Sequence, residues 1–160
     1  MRKRSKYRPK AVLVNPVAYA IESVSTVTSH KNFLLDLKIK NSEAMYALTH
    51  GSATKADMDL LIAMSNMTEA LHQLGHGAEY QDVCVGGRAA LISIAYRAKE
   101  HGRFVPTGPE IQALQLLMEL HDAQMDVITV KDVEKAIAIV EDKLTRDKDT
   151  VRLPVSAAAA

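Results

Sequence analysis

Four short constellations in this chain carry side chains able to do chemistry. His72-Gln-Leu-Gly-His76 sets two imidazoles four residues apart. On an unbroken helix they would face the same way and offer two ligands to zinc. Zinc needs at least one more ligand, and the metalloprotease form of this spacing needs a glutamate where Gln73 stands. Gly75 also interrupts the helix between the two rings, so the pair reads as polar residues at a helix end. Glu119-Leu-His121-Asp122, with Asp126 one turn further on, places an imidazole among carboxylates, the ingredients of a general base. His121 lies seven residues after Leu114, close to the apolar stripe of its helix, and reads as a buried, hydrogen-bonded histidine. Cys84 has Arg88 nearby but no adjacent base, which makes it a small core residue rather than a nucleophile. Gly86-Gly-Arg88 lacks the preceding strand and the Gly-Lys-Ser/Thr ending of a phosphate loop. The sequence therefore assigns no catalytic residue, no metal and no cofactor.

The remaining chemistry is electrostatic. Arg2, Lys3, Arg4, Lys6, Arg8 and Lys10 put six cations and no anion into the first ten residues, interleaved with Tyr7 and the stiff Pro9. The whole chain is near neutral at +1, so the remainder carries about −5. A basic arm on an acidic body points to a polyanionic partner. The six cations are expected to contact nucleic-acid phosphates without reading sequence, with Tyr7 stacking on a base. The competing reading is a solvated docking or solubility tail on a protein-interaction module, whose acidic body would repel DNA or meet a basic protein.

These groups have to be positioned by the rest of the chain, and its composition suggests how. At 160 residues it is long enough for one domain with a core that needs no disulfide or metal. One cysteine fits a reducing compartment, and a cytoplasmic location is expected. Asn15 and Pro16 break up the apolar run after the arm, which argues against a signal peptide. No run of apolar residues is long enough to cross a membrane. With two Phe, five Tyr and no Trp, the core must rest on aliphatic residues and Met, a mixture suited to helices.

Periodicity predicts five helices. The first covers about Asn32–Thr49, with a stripe of Leu34, Leu35, Ile39, Met45 and Leu48. Thr54-Lys-Ala-Asp57 caps a second, carrying Leu60, Leu61, Met64, Met67, Leu71 and Leu74 and stopped by Gly75 and Gly77. A third spans about Tyr80–Glu100 on Val83, Ala90, Leu91, Ile94 and Ala95. Its internal Gly86-Gly87 must either kink it or admit a close neighbour. Thr107-Gly-Pro-Glu110 caps a fourth with Ile111, Leu114, Leu117, Met118 and Met125, and Thr129-Val-Lys-Asp132 caps a fifth with Val133, Ile137, Val140 and Leu144. The Ser/Thr/Val run near residue 25 reads as extended, with no second strand to pair with. The expected fold is all-α, a single-domain bundle of about four to five helices with an N-terminal basic arm. Its expected parts are a basic arm and linker (1–31), a helical domain (32–147) and a flexible C-terminal tail (148–160). The last two helices are joined as tightly as a helix-turn-helix requires, but the second is balanced in charge where a groove-reading helix would be basic.

Arg2-Lys-Arg-Ser-Lys-Tyr-Arg-Pro-Lys10, Leu34-Leu-Asp-Leu-Lys-Ile-Lys-Asn41, Phe104-Val-Pro-Thr-Gly-Pro-Glu110 and Leu117-Met-Glu-Leu-His-Asp-Ala-Gln-Met-Asp-Val127 resemble an uncharacterised family of small helical proteins carried by phages and prophages of proteobacteria. The resemblance runs to about Arg152 and implies a genomic setting, with no activity or catalytic residue attached. It implies a small accessory protein that acts by binding. The expected partners are nucleic acid through the arm, a host or phage protein, or a second copy of the chain.

Overall fold

The computed structural model describes residues 20–21, 23–27 and 31–146, and the description that follows is confined to them. Five α-helices follow one another: α1 Lys31–Thr49, α2 Lys55–Gln73, α3 Gln81–His101, α4 Gly108–Val127 and α5 Val130–Arg146, with a 3₁₀ turn Ala78–Tyr80 leading into α3. Among the described residues there is no strand, so the fold is an all-α bundle. The basic arm and the C-terminal tail lie outside the described residues.

The three expected helix starts are present in atomic detail. Thr54 N–H donates to Asp57 Oδ2 at 2.7 Å, and Asp57 N–H donates back to Thr54 Oγ1 at 3.3 Å. Thr107 N–H donates to Glu110 Oε2 at 2.7 Å. At the head of α5, Thr129 N–H donates to Asp132 Oδ2 at 3.1 Å and Asp132 N–H to Thr129 Oγ1 at 3.3 Å. Each box satisfies N–H groups that an uncapped helix leaves open. At the far end of α2, Gly77 takes a φ of 75°, and a Cβ there would stand 3.1 Å from Leu120 Cδ1, so the turn requires glycine twice over.

The helix α2 packs against all four of the others, while α3 and α4 form the most extensive single pair. One core cluster joins Leu48 of α1, Leu61 and Met64 of α2, Ile94 of α3 and Leu114 and Leu117 of α4. A second joins Val27, Leu34, Ala70, Leu71, Met125, Ile128 and Ala136. Burying a leucine of this kind contributes about 1.5–3 kcal/mol over leaving it in water. The segment read from sequence as linker takes part: Val27 is buried, and its N–H donates to Ile128 O at 3.0 Å. Val130 N–H donates to Ser25 O at 3.1 Å, so Thr26 and Thr129 form an isolated antiparallel bridge. The strand partner missing from the sequence pattern is the joint between α4 and α5.

Two of the expected stripes differ from the buried faces. On α1, Leu34, Met45 and Leu48 are buried, but Leu35 and Ile39 are exposed because Asn41 and Ala44 occupy the inward side instead. On α5, Ala136 is buried and Val133 and Val140 pack against it, whereas Ile137 and Leu144 are exposed. A helix laid on one neighbour covers a narrower arc than one sunk in a bundle. α5 packs chiefly on α2, and three of its four cations are ion-paired: Lys135 with Asp132, Lys143 with Glu69 and Arg146 with Asp142.

The adjacent glycines of α3 resolve differently from one another. A Cβ on Gly87 would meet Leu117 Cδ2 at 2.6 Å and Leu117 Cβ at 3.0 Å, while one on Gly86 meets nothing within 4 Å. α3 runs unbroken through both, so Gly87 admits the close neighbour and α4 can approach. Gly87→Ala is therefore expected to destabilise the protein by about 1–3 kcal/mol through overpacking. Gly86→Ala should stabilise it by about 0.5–1 kcal/mol through helix propensity and a less free unfolded chain. Urea unfolding of the two variants checks this, and equal effects of the same sign would refute the close-packing account.

Candidate functional site

The seven residues expected to touch nucleic acid, Arg2, Lys3, Arg4, Lys6, Tyr7, Arg8 and Lys10, lie outside the described residues. Side chains able to do chemistry gather in two places, the end of the bundle where α2, α4 and α5 meet and the corner between α3 and α4, and Cys84 lies on α3.

At the first place, the histidines separate. His72 sits in the last turn of α2, and its Nε2–H donates to Ala78 O at 3.1 Å. His76 lies beyond the helix end, where its Nε2 stands 3.6 Å from Asp132 Oδ2 at the head of α5. The two rings thus serve different elements. The Thr129 bonds, with the charges of His76 and Lys135, hold the Asp132 carboxyl below its ordinary value although burial pushes the other way. Gln124 braces the same turn, donating from Nε2 to His76 O at 2.9 Å and to Thr68 O at 3.2 Å. Among the described residues, no three histidine, cysteine or carboxylate side chains converge as a metal site would require.

His121 is 2% exposed and hydrogen-bonds through Nδ1 to Thr68 Oγ1 at 3.1 Å. Thr68 gives its single hydroxyl proton to Met64 O at 2.8 Å, so its oxygen accepts from His121. That bonding assigns the proton of the neutral ring to Nδ1. Burial, with a smaller contribution from the charge of Lys38, lowers the His121 pKa to about 4. Asp122, its neighbour in sequence, is turned instead toward Lys38, which also binds Asp126 at 3.3 Å. Successive helix positions diverge by about 100°, so the imidazole and the carboxylate form no dyad. Burial raises the Asp122 pKa, partly offset by Lys38. Cys84 is buried, and burial with the charges of Glu69 and Asp82 raises its thiol pKa, the opposite of what a nucleophile needs.

The second place was visible in sequence only as a helix cap. Glu110 closes the Thr107 box and also binds Arg97 of α3, whose Nη1 donates to Glu110 Oε1 at 2.9 Å and to Ser93 Oγ at 3.0 Å. Arg97 Nη2 bonds Glu110 Oε2 and donates to Val105 O at 2.9 Å, fastening the α3–α4 loop. Burial alone would raise the Glu110 pKa, but the Arg97, Thr107 and Ser93 bonds outweigh it and bring it down to about 2. A cleft of about 580 Å³ opens beside this clamp, lined by Arg97, His101, Arg103, Val105, Pro106 and Thr107. The helix periodicity that located α3 carries no signal for it, because the loop supplies four of its six lining residues.

The buried neutral His121 has a measurable consequence. Its pKa is about 4 in the folded protein and about 6.5 in an unfolded chain, so the unfolded state takes up the proton first as pH falls. Stability is whole above pH ~6.5 and drains away toward pH ~4, with about 2 kcal/mol lost between pH ~7 and ~5. Glu110 and Asp132, whose pKa values are lowered, withdraw their own contributions only at still lower pH. Denaturant midpoints across that window should fall in the wild type and flatten in His121→Gln. An unchanged slope in the variant would reject the assignment.

Comparison with known proteins finds no matching family model, no matching curated protein and no matching solved structure.

Proposed function

We propose that this is a non-enzymatic accessory protein of phage or prophage type that acts by binding, its basic arm holding nucleic acid while the helical body supplies selectivity or a partner. The observation that carries this reading is charge segregation: six cations within ten residues, against about −5 on everything that follows. A body of that sign gains nothing from phosphates, so attraction falls to the arm, and that contact is blind to sequence.

The condition of the chemically capable groups supports binding over catalysis. His121 is buried and committed to Thr68, His72 to a backbone carbonyl, and Asp132 to the cap of α5. A catalytic acid or base must instead reach a substrate with a free position.

A second reading, a protein-interaction module or inhibitor of a host protein, draws on a different observation. Leu35, Ile39 and Tyr46 stand exposed along one side of α1, and Ile137 and Leu144 along α5. Exposed apolar rows of this kind are what partner helices or a second copy of the chain cover.

Fluorescence anisotropy with a labelled duplex and a single strand, over a range of salt, separates the two. The full chain should bind with a steep loss of affinity on adding salt. Removal of residues 1–10 should weaken binding and reduce the log–log slope by roughly five for B-DNA if all six cations engage. Equal affinity and slope after truncation, or no binding by the full chain at low salt, overturns the nucleic-acid reading and leaves the interaction module.

A further inference from the structure

We propose that the cleft at the α3–α4 corner binds a phosphomonoester, with Arg103 and His101 holding the phosphate and the Val105–Pro106 wall covering the body of the ligand. This site belongs to the described helical domain, needs nothing from the arm, and is not among the contacts on which the proposed function rests.

The cleft combines three properties that recognition of such a ligand demands. Its volume of about 580 Å³ suits a molecule of nucleotide size. Its lining contains three basic side chains, Arg97, His101 and Arg103, and no carboxylate. Val105 and Pro106 supply apolar surface beside them. The carboxylate that could have neutralised the cluster, Glu110, is already consumed by Arg97 and the Thr107 cap.

The basic side chains divide the work. Arg97 spends both terminal nitrogens on Glu110, Ser93 and Val105 O, so it acts as a fixed wall and not as a hand. Its clamp on Val105 O also holds the loop in shape before any ligand arrives, which lowers the ordering cost of binding. His101 and Arg103 have no hydrogen bond or ion pair among the described residues. His101 lies in the last turn of α3, where the negative end of the helix accounts for a basic residue without any ligand. Arg103 stands just past the same helix end. It follows Gly102, which ends α3 with a φ of 72°, and so stands outside the helix at the edge of the cleft. A guanidinium offers a planar fork that a phosphate can meet with two oxygens.

The shared chemistry is a terminal phosphate, which a free nucleotide or the 5′ end of a nucleic acid can provide. Amide shifts of the full chain, followed by NMR, report on the cleft separately from the arm. Adenosine 5′-monophosphate, adenosine, and a short oligonucleotide with and without a 5′-phosphate are titrated in turn. Saturable shifts at His101, Arg103 and Val105 with the monophosphate assign the ligand to free nucleotides. The same shifts with the 5′-phosphorylated oligonucleotide alone assign it to nucleic-acid ends. In either case Arg103→Ala should weaken binding by about tenfold or more while leaving Arg97–Glu110 and the fold intact, as the unshifted remainder of the spectrum would show. Shifts that are absent, that adenosine or the unphosphorylated strand reproduces, or that persist in Arg103→Ala overturn the proposal. A negative result here leaves the salt dependence of the arm untouched, so the two readings fail separately.

Discussion

The fold depends on α2 having neighbours on nearly every side, and three consecutive residues show how one helix meets that demand. Thr68 turns toward α4 and accepts the His121 proton. Glu69 receives Arg88 from α3 and Lys143 from α5. Ala70, 1% exposed, sits in the same cluster as Ala136 of α5. Residues on a helix advance by about 100° each, so three in a row can address three different directions. The arrangement also explains the unequal burial of α5. Two alanines at the contact allow a close approach but contribute little apolar area, and the longer Ile137 and Leu144 remain outside it.

The helices and their starts were legible in the sequence because both are local. Thr54, Thr107 and Thr129 with an acid three residues on make a cap whatever the rest of the chain does, and all three caps are found. The stripe on α2 agreed with burial at Leu61, Met64 and Leu71 because that helix is enclosed. The stripe on α1 failed at Leu35 and Ile39, where the choice of buried arc belongs to the neighbours and not to the helix itself. The Gly86-Gly87 pair reads as either a kink or a close approach, and only the position of Leu117 decides between them.

Of the chemistry, His121 reads as a core residue from its place near an apolar stripe and Cys84 from its lack of an adjacent base, and both are buried. It could not foresee the Arg97–Glu110 clamp, since thirteen residues and a turn separate the partners. Nor could it foresee that Gln124 would brace the α2 turn through two carbonyls from the last turn of another helix. Long-range pairs of this kind leave no periodic trace. The Arg97–Glu110 pair arises once α3 and α4 lie side by side, a geometry that the missing side chain of Gly87 makes possible.

The bridge between Thr26 and Thr129, with Val27 sunk in the second core cluster, ties chain that precedes α1 to the joint between α4 and α5. Val27 and Ile128, whose backbones share a hydrogen bond, are separated by four of the five helices. Closing so long a stretch of chain carries an entropy cost that local helix formation does not meet. The joint therefore depends on the four helices before it being packed together, and it records completion of the bundle where each cap records only the start of its own helix.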